Sequence, residues 1–212
     1  MGFRMDSVEW EALVARYGWA DGDEFDWYTV SVVAGKTEDQ VIAAFGGDPA
    51  GTSRTMTFGE AIEDTAAHLY KDYHLLGVLA EGRHVWTMEP GYHGNIPEIA
   101  RRASANGGEF FSVYEDINAR CQVMHAADGR VTGAFDPIGL EDADFYHDLP
   151  ELPAWAEGAT FPMEQLSAVT FALMERTMGV PFDPDLLRTP VRTVTLPAPG
   201  VLFTDTDAAW RP

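Results

Sequence analysis

Short strand-like segments joined by tight turns are the feature that most constrains the fold of this 212-residue chain. Residues 75–81 and 84–89 are separated only by Gly82 and Arg83, which predicts a β-hairpin. Three more segments rich in β-branched and aromatic residues follow with links that are nearly as short: 110–117, 121–126 and 130–135. Such links favour antiparallel pairing, because a parallel crossover needs a dozen or more residues.

Helical segments flank these strands. Two of them begin with capping boxes, in which a Thr is followed three residues later by Gln or Glu: Thr37 with Gln40, and Thr57 with Glu60. Residues 163–178 carry apolar side chains at helical spacing, and Gly179 ends that segment. We therefore predict an α+β fold, an antiparallel sheet of about five or six strands with helices packed on one face.

The segment 136–161 interrupts the regular pattern. It contains seven carboxylates and no Lys or Arg: Asp136, Glu141, Asp142, Asp144, Asp148, Glu151 and Glu157. A long loop of this kind within a compact domain is often functional. We predict a single α+β domain over residues 1–196 with this acidic insertion, followed by a loose C-terminal tail over residues 197–212.

The charge balance limits the partners. The chain has 34 acidic and 14 basic residues, and its formal net charge is −20. Binding to nucleic-acid phosphates or to anionic membranes needs clustered cations, so both are disfavoured. A basic protein surface is the partner that this field attracts. The alternative is that the acidity serves solubility alone.

The acidic insertion contains the candidate interaction residues, which are Asp142, Asp144, Asp148, Glu151 and Trp155. An aromatic side chain surrounded by carboxylates is suited to holding a basic partner. The alternative is that Trp155 packs on the core and only pins the loop.

Cofactor and compartment signals are few. The sequence shows no phosphate-binding Gly-rich loop, nucleophile elbow, paired-His metal motif or EF-hand, so we expect no cofactor and no metal, and we favour a non-enzymatic protein. Cys121 is the only cysteine and lies in a predicted strand, where a small buried apolar role is usual. A lone cysteine and the lack of a long apolar run lead us to expect a cytoplasmic protein.

Two segments are dense in chemically useful side chains. Glu89 lies at a predicted strand end and His93 lies in the loop that follows, so the two could form an acid–base pair or two metal ligands. The alternative is a Glu89 that binds loop amides beside a solvated His93. In the second segment, Tyr114, Asp116 and Asn118 alternate along one strand face, which either lines a pocket or faces solvent. The residues of the possible pocket are Glu89, Tyr92, His93, Tyr114, Asp116 and Asn118.

The run Trp86-Thr-Met-Glu89-Pro90-Gly91-Tyr92-His-Gly94 resembles the centre of an uncharacterised actinobacterial domain family, of the kind common in streptomycetes, with the motif W-x-M-E-P-x-Y-x-G. Further similar stretches are Arg101-Arg102-Ala-Ser104, residues 112–119, Phe135-Asp136-Pro137 and the segment 171–187. The resemblance covers about residues 8–190, and the chain departs from it at 103–108, where family members have a bulkier polar stretch. The family has no assigned activity, so the resemblance implies no catalytic residue.

These observations lead to one functional expectation and two alternatives. We expect a non-enzymatic protein-interaction module of the inhibitor, immunity or accessory type, acting in bacterial conflict or regulation by binding a basic protein surface. The alternatives are a small-ligand sensor and a metal-dependent enzyme, each with a pocket near Glu89, His93 and Asp116. An acidic monomer and a symmetric dimer are both consistent with the sequence.

Overall fold

The computed structural model describes residues 7–22, 28–68, 73–116, 118, 120–138, 140 and 151–199. Within these ranges one antiparallel sheet has the strand order β2-β8-β3-β4-β1-β5-β6-β7. Its strands are β1 (Tyr28–Ala34), β2 (Ser53–Met56), β3 (His74–Glu81), β4 (His84–Glu89), β5 (Glu109–Asp116), β6 (Arg120–Ala127), β7 (Arg130–Phe135) and β8 (Val191–Leu196).

In the described ranges, five α-helices pack against the sheet. They are α1 (Ser7–Arg16), α2 (Glu38–Ala44), α3 (Phe58–Ala67), α4 (Pro97–Ser104) and α5 (Leu166–Met178). Both predicted capping boxes are formed, at the start of α2 and of α3. A short 3-10 helix, His93–Asn95, precedes α4, and its position matters for the site described below.

The predicted antiparallel α+β fold is confirmed, but the sheet has eight strands rather than five or six. One strand that the sequence does not predict is the short edge strand β2, whose sequence Ser-Arg-Thr-Met is largely exposed and lacks an apolar alternation. Its pairing with β8, which comes almost 140 residues later in the chain, makes it a strand. Local sequence carries no signal for such a distant partner.

The helices divide between both faces of the sheet, rather than lying on one face as expected. Residues of α1 and α5 share one apolar cluster with Val32, whereas residues of α2 and α4 share a second cluster with Val33. The central strands are apolar on both sides because neighbouring residues such as Phe110 and Phe111 point to opposite faces. Strands that are apolar on both sides therefore require helices on both faces of the sheet to bury them.

The described part of the predicted tail contacts the domain. The carbonyl oxygen of Pro197 accepts a hydrogen bond from the imidazole of His93, and Pro199 is buried. Residues 200–212 lie outside the described residues. None of the helices in the described ranges combines the length and apolarity that crossing a bilayer requires.

Candidate functional site

A buried carboxylate organises the loop that follows β4. Glu89 is the last residue of β4, only 1% of its surface is exposed, and Pro90 ends the strand directly after it. The backbone N–H groups of His93 and Gly94 donate to the two Glu89 carboxylate oxygens, at 3.1 and 2.6 Å. The interpretation of Glu89 as a residue that binds loop amides is thus confirmed.

His93 is fully buried rather than solvated. Its Nδ1 lies 3.3 Å from Oε2 of Glu89, and its Nε2 lies 3.0 Å from the carbonyl oxygen of Pro197. Burial is the largest single influence on the pKa of His93 and lowers it, but Glu89 and the Pro197 carbonyl outweigh that effect, so the net pKa is raised. The imidazole thus links the loop after β4 to the chain that follows β8.

A layer of small polar side chains lies beneath this loop. Ser31 on β1 is paired with Thr87 on β4 and with Ser112 on β5, and all three are fully buried. Gly94 lies directly over them, because a Cβ at this position would be 2.5 Å from the Ser31 hydroxyl oxygen. Glycine is therefore required here for the close approach of the loop to the sheet.

Unsatisfied polar atoms are concentrated at this place. Among the described residues, seven buried side-chain N or O atoms lack a hydrogen-bond partner, and five of them belong to this layer and the 3-10 helix above it: the hydroxyls of Ser31, Thr87 and Ser112, Oδ1 of Asn95, and Nδ1 of His93, which lies 3.3 Å from Glu89 but without hydrogen-bond geometry. Buried polar atoms without partners are rare in folded proteins, and bound water or a ligand is a common reason for them.

A cleft of about 760 Å³ opens beside this layer, at the end of the sheet where β5, β6 and β7 meet the loop after β4. Its lining residues are Tyr92, Asn95, Tyr114, Arg120, Cys121, Gln122 and Asp136. The register explains part of this grouping, since Tyr114 on β5 lies directly opposite Gln122 on β6. The wall thus combines two phenol rings, two carboxamides and two opposite charges.

Hydrogen bonds hold Tyr114 in place at the cleft. Its hydroxyl donates to Oδ2 of Asp116 at 2.9 Å, while Oδ1 of Asp116 accepts from the backbone N–H groups of Asn118 and Arg120. Burial first, and then Asp116, raise the pKa of Tyr114 to about 12, so this phenol is neutral near pH 7. Burial would raise the pKa of Asp116, but the donated hydrogen bonds hold it below its usual range.

The two charged side chains of the cleft are not neutralised by each other. Within the described residues neither Arg120 nor Asp136 takes part in a salt bridge. Oδ1 of Asp136 accepts from the backbone N–H of Ile138 at 2.8 Å. Burial raises the pKa of Asp136, and that hydrogen bond only partly offsets the effect.

The six residues of the predicted pocket come together in part. Tyr92 and Tyr114 line the cleft. Glu89 and His93 are buried beneath the loop that forms one wall of it, and Asp116 accepts the hydrogen bond of the Tyr114 hydroxyl. Asn118 is exposed and contributes its backbone N–H to Asp116. In the ranges that the structure describes, no three His, Cys, Asp or Glu side chains are arranged to hold a metal ion.

Five cleft residues are missing from the pocket predicted from the sequence, and they are Asn95, Arg120, Cys121, Gln122 and Asp136. Asn95 belongs to the 3-10 helix before α4, and Ile96 is the N-cap residue of α4. The alternation of Arg120 and Gln122 along β6 was the available signal. Whether these two residues reach a cleft depends on the pairing of β6 with β5 and β7.

The acidic insertion is described only in part. Asp142, Asp144 and Asp148 lie outside the described residues, and Glu151 is exposed. Trp155 is half-buried and stacks on Phe135 with 5.6 Å between the ring centroids, and its edge meets Phe111 at 5.3 Å. These contacts favour the interpretation of Trp155 as the side chain that pins the insertion to the core.

Comparison with known protein families gives a match. A family of unknown function, DUF6461, matches residues 11–145, which is more than half of the chain. No curated protein and no solved structure gives a significant match. The matched range includes strands β1 to β7 and every residue that lines the cleft, and it leaves out α5 and β8.

Proposed function

The chain belongs to the DUF6461 family, whose function is unknown, and from the geometry of its cleft we propose that it is a non-enzymatic binding protein for a small polar ligand. The cleft is large enough for one such molecule, since ligand sites commonly measure about 300–1,000 Å³. One observation carries the proposal: polar side chains from four separate parts of the chain converge on a single cleft.

The parts that form the cleft are held in fixed positions, as a binding site requires. Glu89 fixes the loop that carries Tyr92 and Asn95, and Asp116 fixes the hydroxyl of Tyr114. The carboxamide of Gln122 offers both a donor and an acceptor to such a ligand. A site of this kind gives orientation and selectivity.

A thermal-shift screen of the full chain against small polar metabolites tests this proposal. A ligand that binds the folded state raises the melting temperature in proportion to the logarithm of its concentration. We expect the Gln122→Ala variant to lose the shift and Gln165→Ala, an exposed glutamine away from the cleft, to keep it. If no compound gives a saturable shift, or if Gln122→Ala retains it, the cleft is not the binding site.

The charge balance favours a second candidate function, the capture of a basic protein partner by an inhibitor, immunity or accessory protein of the bacterial cytoplasm. It is supported by the net charge of −20 and by the acidic insertion that contains Asp142, Asp144 and Asp148. Replacing these three residues by Asn should weaken binding to a purified basic partner and reduce its salt dependence. A matched triple variant of Glu9, Glu11 and Glu164 removes the same charge elsewhere, and equal losses in both variants would contradict a role for the insertion.

We propose the finer family identity as well, an actinobacterial family with the shared motif W-x-M-E-P-x-Y-x-G. It is supported by the position of residues 86–94 within the matched range and by the structural roles of Glu89 and Gly94. An alignment of family members tests it. Free variation at the positions of Glu89 and Gly94 would contradict it.

A further inference from the structure

We infer that the ligand of the cleft is a small zwitterion that carries one ammonium and one carboxylate group, such as an amino acid or a short peptide. This inference rests on the proposed binding function and specifies its ligand. Asp136 would receive the ammonium and Arg120 the carboxylate, while the carboxamides and phenols would contact the polar and flat parts of the molecule between them.

The two charges are available and opposite. Arg120 and Asp136 line the same cleft, and neither forms a salt bridge with any described residue. The third charge nearby, Asp116, already accepts hydrogen bonds from Tyr114 and from two backbone N–H groups. Among the described residues, one cation and one anion of the cleft thus have no salt-bridge partner, and a zwitterion would satisfy both.

The spacing of the two charged residues suits one small molecule. Val123 on β6 pairs with Phe135 on β7, so Asp136 follows next to Gln122, and Arg120 lies two residues further along β6. Two residues of extended strand span about 7 Å, and neighbouring strands lie about 4.8 Å apart, which places the two Cα atoms about 8 Å from each other. The two charged side chains therefore start close together on neighbouring strands, as a site for one small molecule requires.

Other ligand classes fit less well. Phosphates and other multiply charged anions would meet a single arginine in a chain of net charge −20, so their binding would be opposed by the overall field. A purely apolar ligand would displace water from the exposed charges of Arg120 and Asp136 without offering them a partner. A zwitterion carries no net charge, so the field of the protein does not oppose its binding. Its two charged groups pair with Arg120 and Asp136.

Isothermal titration calorimetry on the full chain tests the inference. The probes are the twenty proteinogenic amino acids and glycylglycine, and each binder is compared with its N-acetyl derivative and its carboxamide. We expect removal of either charge from the ligand to weaken binding by about tenfold or more, which corresponds to losing one charge-assisted hydrogen bond. Comparable affinity for the intact and the neutralised compounds would overturn the inference.

Variants assign each charge to its partner. In the Asp136→Asn variant, the N-acetyl derivative and the unmodified ligand should bind with the same low affinity. In the Arg120→Gln variant, the carboxamide derivative and the unmodified ligand should bind with the same low affinity. Asp185→Asn and Arg188→Gln, an exposed acidic and basic pair that does not line the cleft, should leave affinity unchanged. Because the ligand derivatives probe each charge in the unaltered protein, misfolding of a variant does not remove the test.

The two proposals fail in different ways. If a neutral or anionic compound from the thermal-shift screen binds and depends on Gln122 while no zwitterion binds, the inference about ligand class is wrong and the binding function stands. If no compound of any class shows binding that depends on Gln122, both are wrong.

Discussion

Oε2 of Glu89 lies 3.3 Å from Nδ1 of His93, and both side chains are withdrawn from solvent. The same carboxylate accepts the backbone N–H groups of His93 and Gly94, so a single side chain fixes the turn after β4. That turn supplies Tyr92 and Asn95 to the wall of the cleft. The shape of the proposed binding site therefore depends on a residue that the ligand does not touch.

Glu89→Gln should destabilise the fold by about 3 kcal/mol, because it removes a buried charge from two N–H donors and from the imidazole of His93. Urea unfolding followed by circular dichroism measures this change. Glu164→Gln, at an exposed position, is the matched control and should change stability by less than about 0.5 kcal/mol. Equal stability of both variants would contradict the role assigned to Glu89.

Gly94→Ala should be strongly destabilising. The new Cβ would lie 2.5 Å from Oγ of Ser31 and 2.9 Å from Cγ2 of Thr29, and both residues are fully buried. Overpacking of this kind costs about 1–3 kcal/mol, and combination with Ser31→Gly should restore part of the loss in urea unfolding.

Gly59→Ala provides the control for that substitution, since nothing lies within 4 Å of the added Cβ and the site is helical. It should be neutral or stabilising by up to about 1 kcal/mol. A tolerated Gly94→Ala would mean that the loop does not approach the sheet as closely as described.

Much of this architecture could be predicted from local patterns. Strand alternation and short links identified β3 to β7, and the Thr-x-x-Gln and Thr-x-x-Glu pairs located the starts of α2 and α3. Edge strand β2 and the division of helices between two faces depend on contacts far apart in the chain. Such long-range contacts produce no periodic pattern in the local sequence from which they could be predicted.

The same contrast between local and long-range contacts applies to the candidate site. Glu89, Tyr92 and His93 are close in sequence, so their juxtaposition could be expected, whereas the burial of His93 depends on Pro197, more than a hundred residues away. Gln122 and Asp136 reach the cleft only because β5, β6 and β7 pair in one particular register. Strand pairing, which sequence alone left open, thus decided which polar residues meet.

His93 should make stability fall as the pH rises. Its pKa is raised in the folded protein, so protonation favours the native state; the stabilisation is fully present below about pH 6.5 and is lost as the pH increases through the folded pKa. The groups that face the ring are Glu89, the Pro197 carbonyl and the rings of His74 and Tyr92.

The difference in unfolding free energy between the unaltered protein and His93→Gln isolates this effect from the other histidines. It should shrink from pH 6 to pH 9. A difference for His93→Gln that stays constant over this range would show that His93 is neutral throughout.

Cys121 should react slowly with thiol reagents in the native protein. It is 1% exposed, and burial followed by the nearby charges of Glu115 and Asp136 raises the pKa of its thiol well above the usual value. We expect alkylation at pH 8 to be at least about a hundredfold slower than in urea, where the thiol is free. Rapid modification of the native protein, followed by mass spectrometry, would contradict the described burial.

Locating a bound ligand on the protein is the most direct test of the binding proposal. Two-dimensional NMR of the isotope-labelled full chain, titrated with mixtures of small polar compounds that include amino acids, reports on every backbone amide. We predict saturable shift changes for residues 91–95, 114–122 and 134–138, with little change along the β2 edge. Changes confined to other regions, or the absence of a saturable change with every mixture, would contradict it.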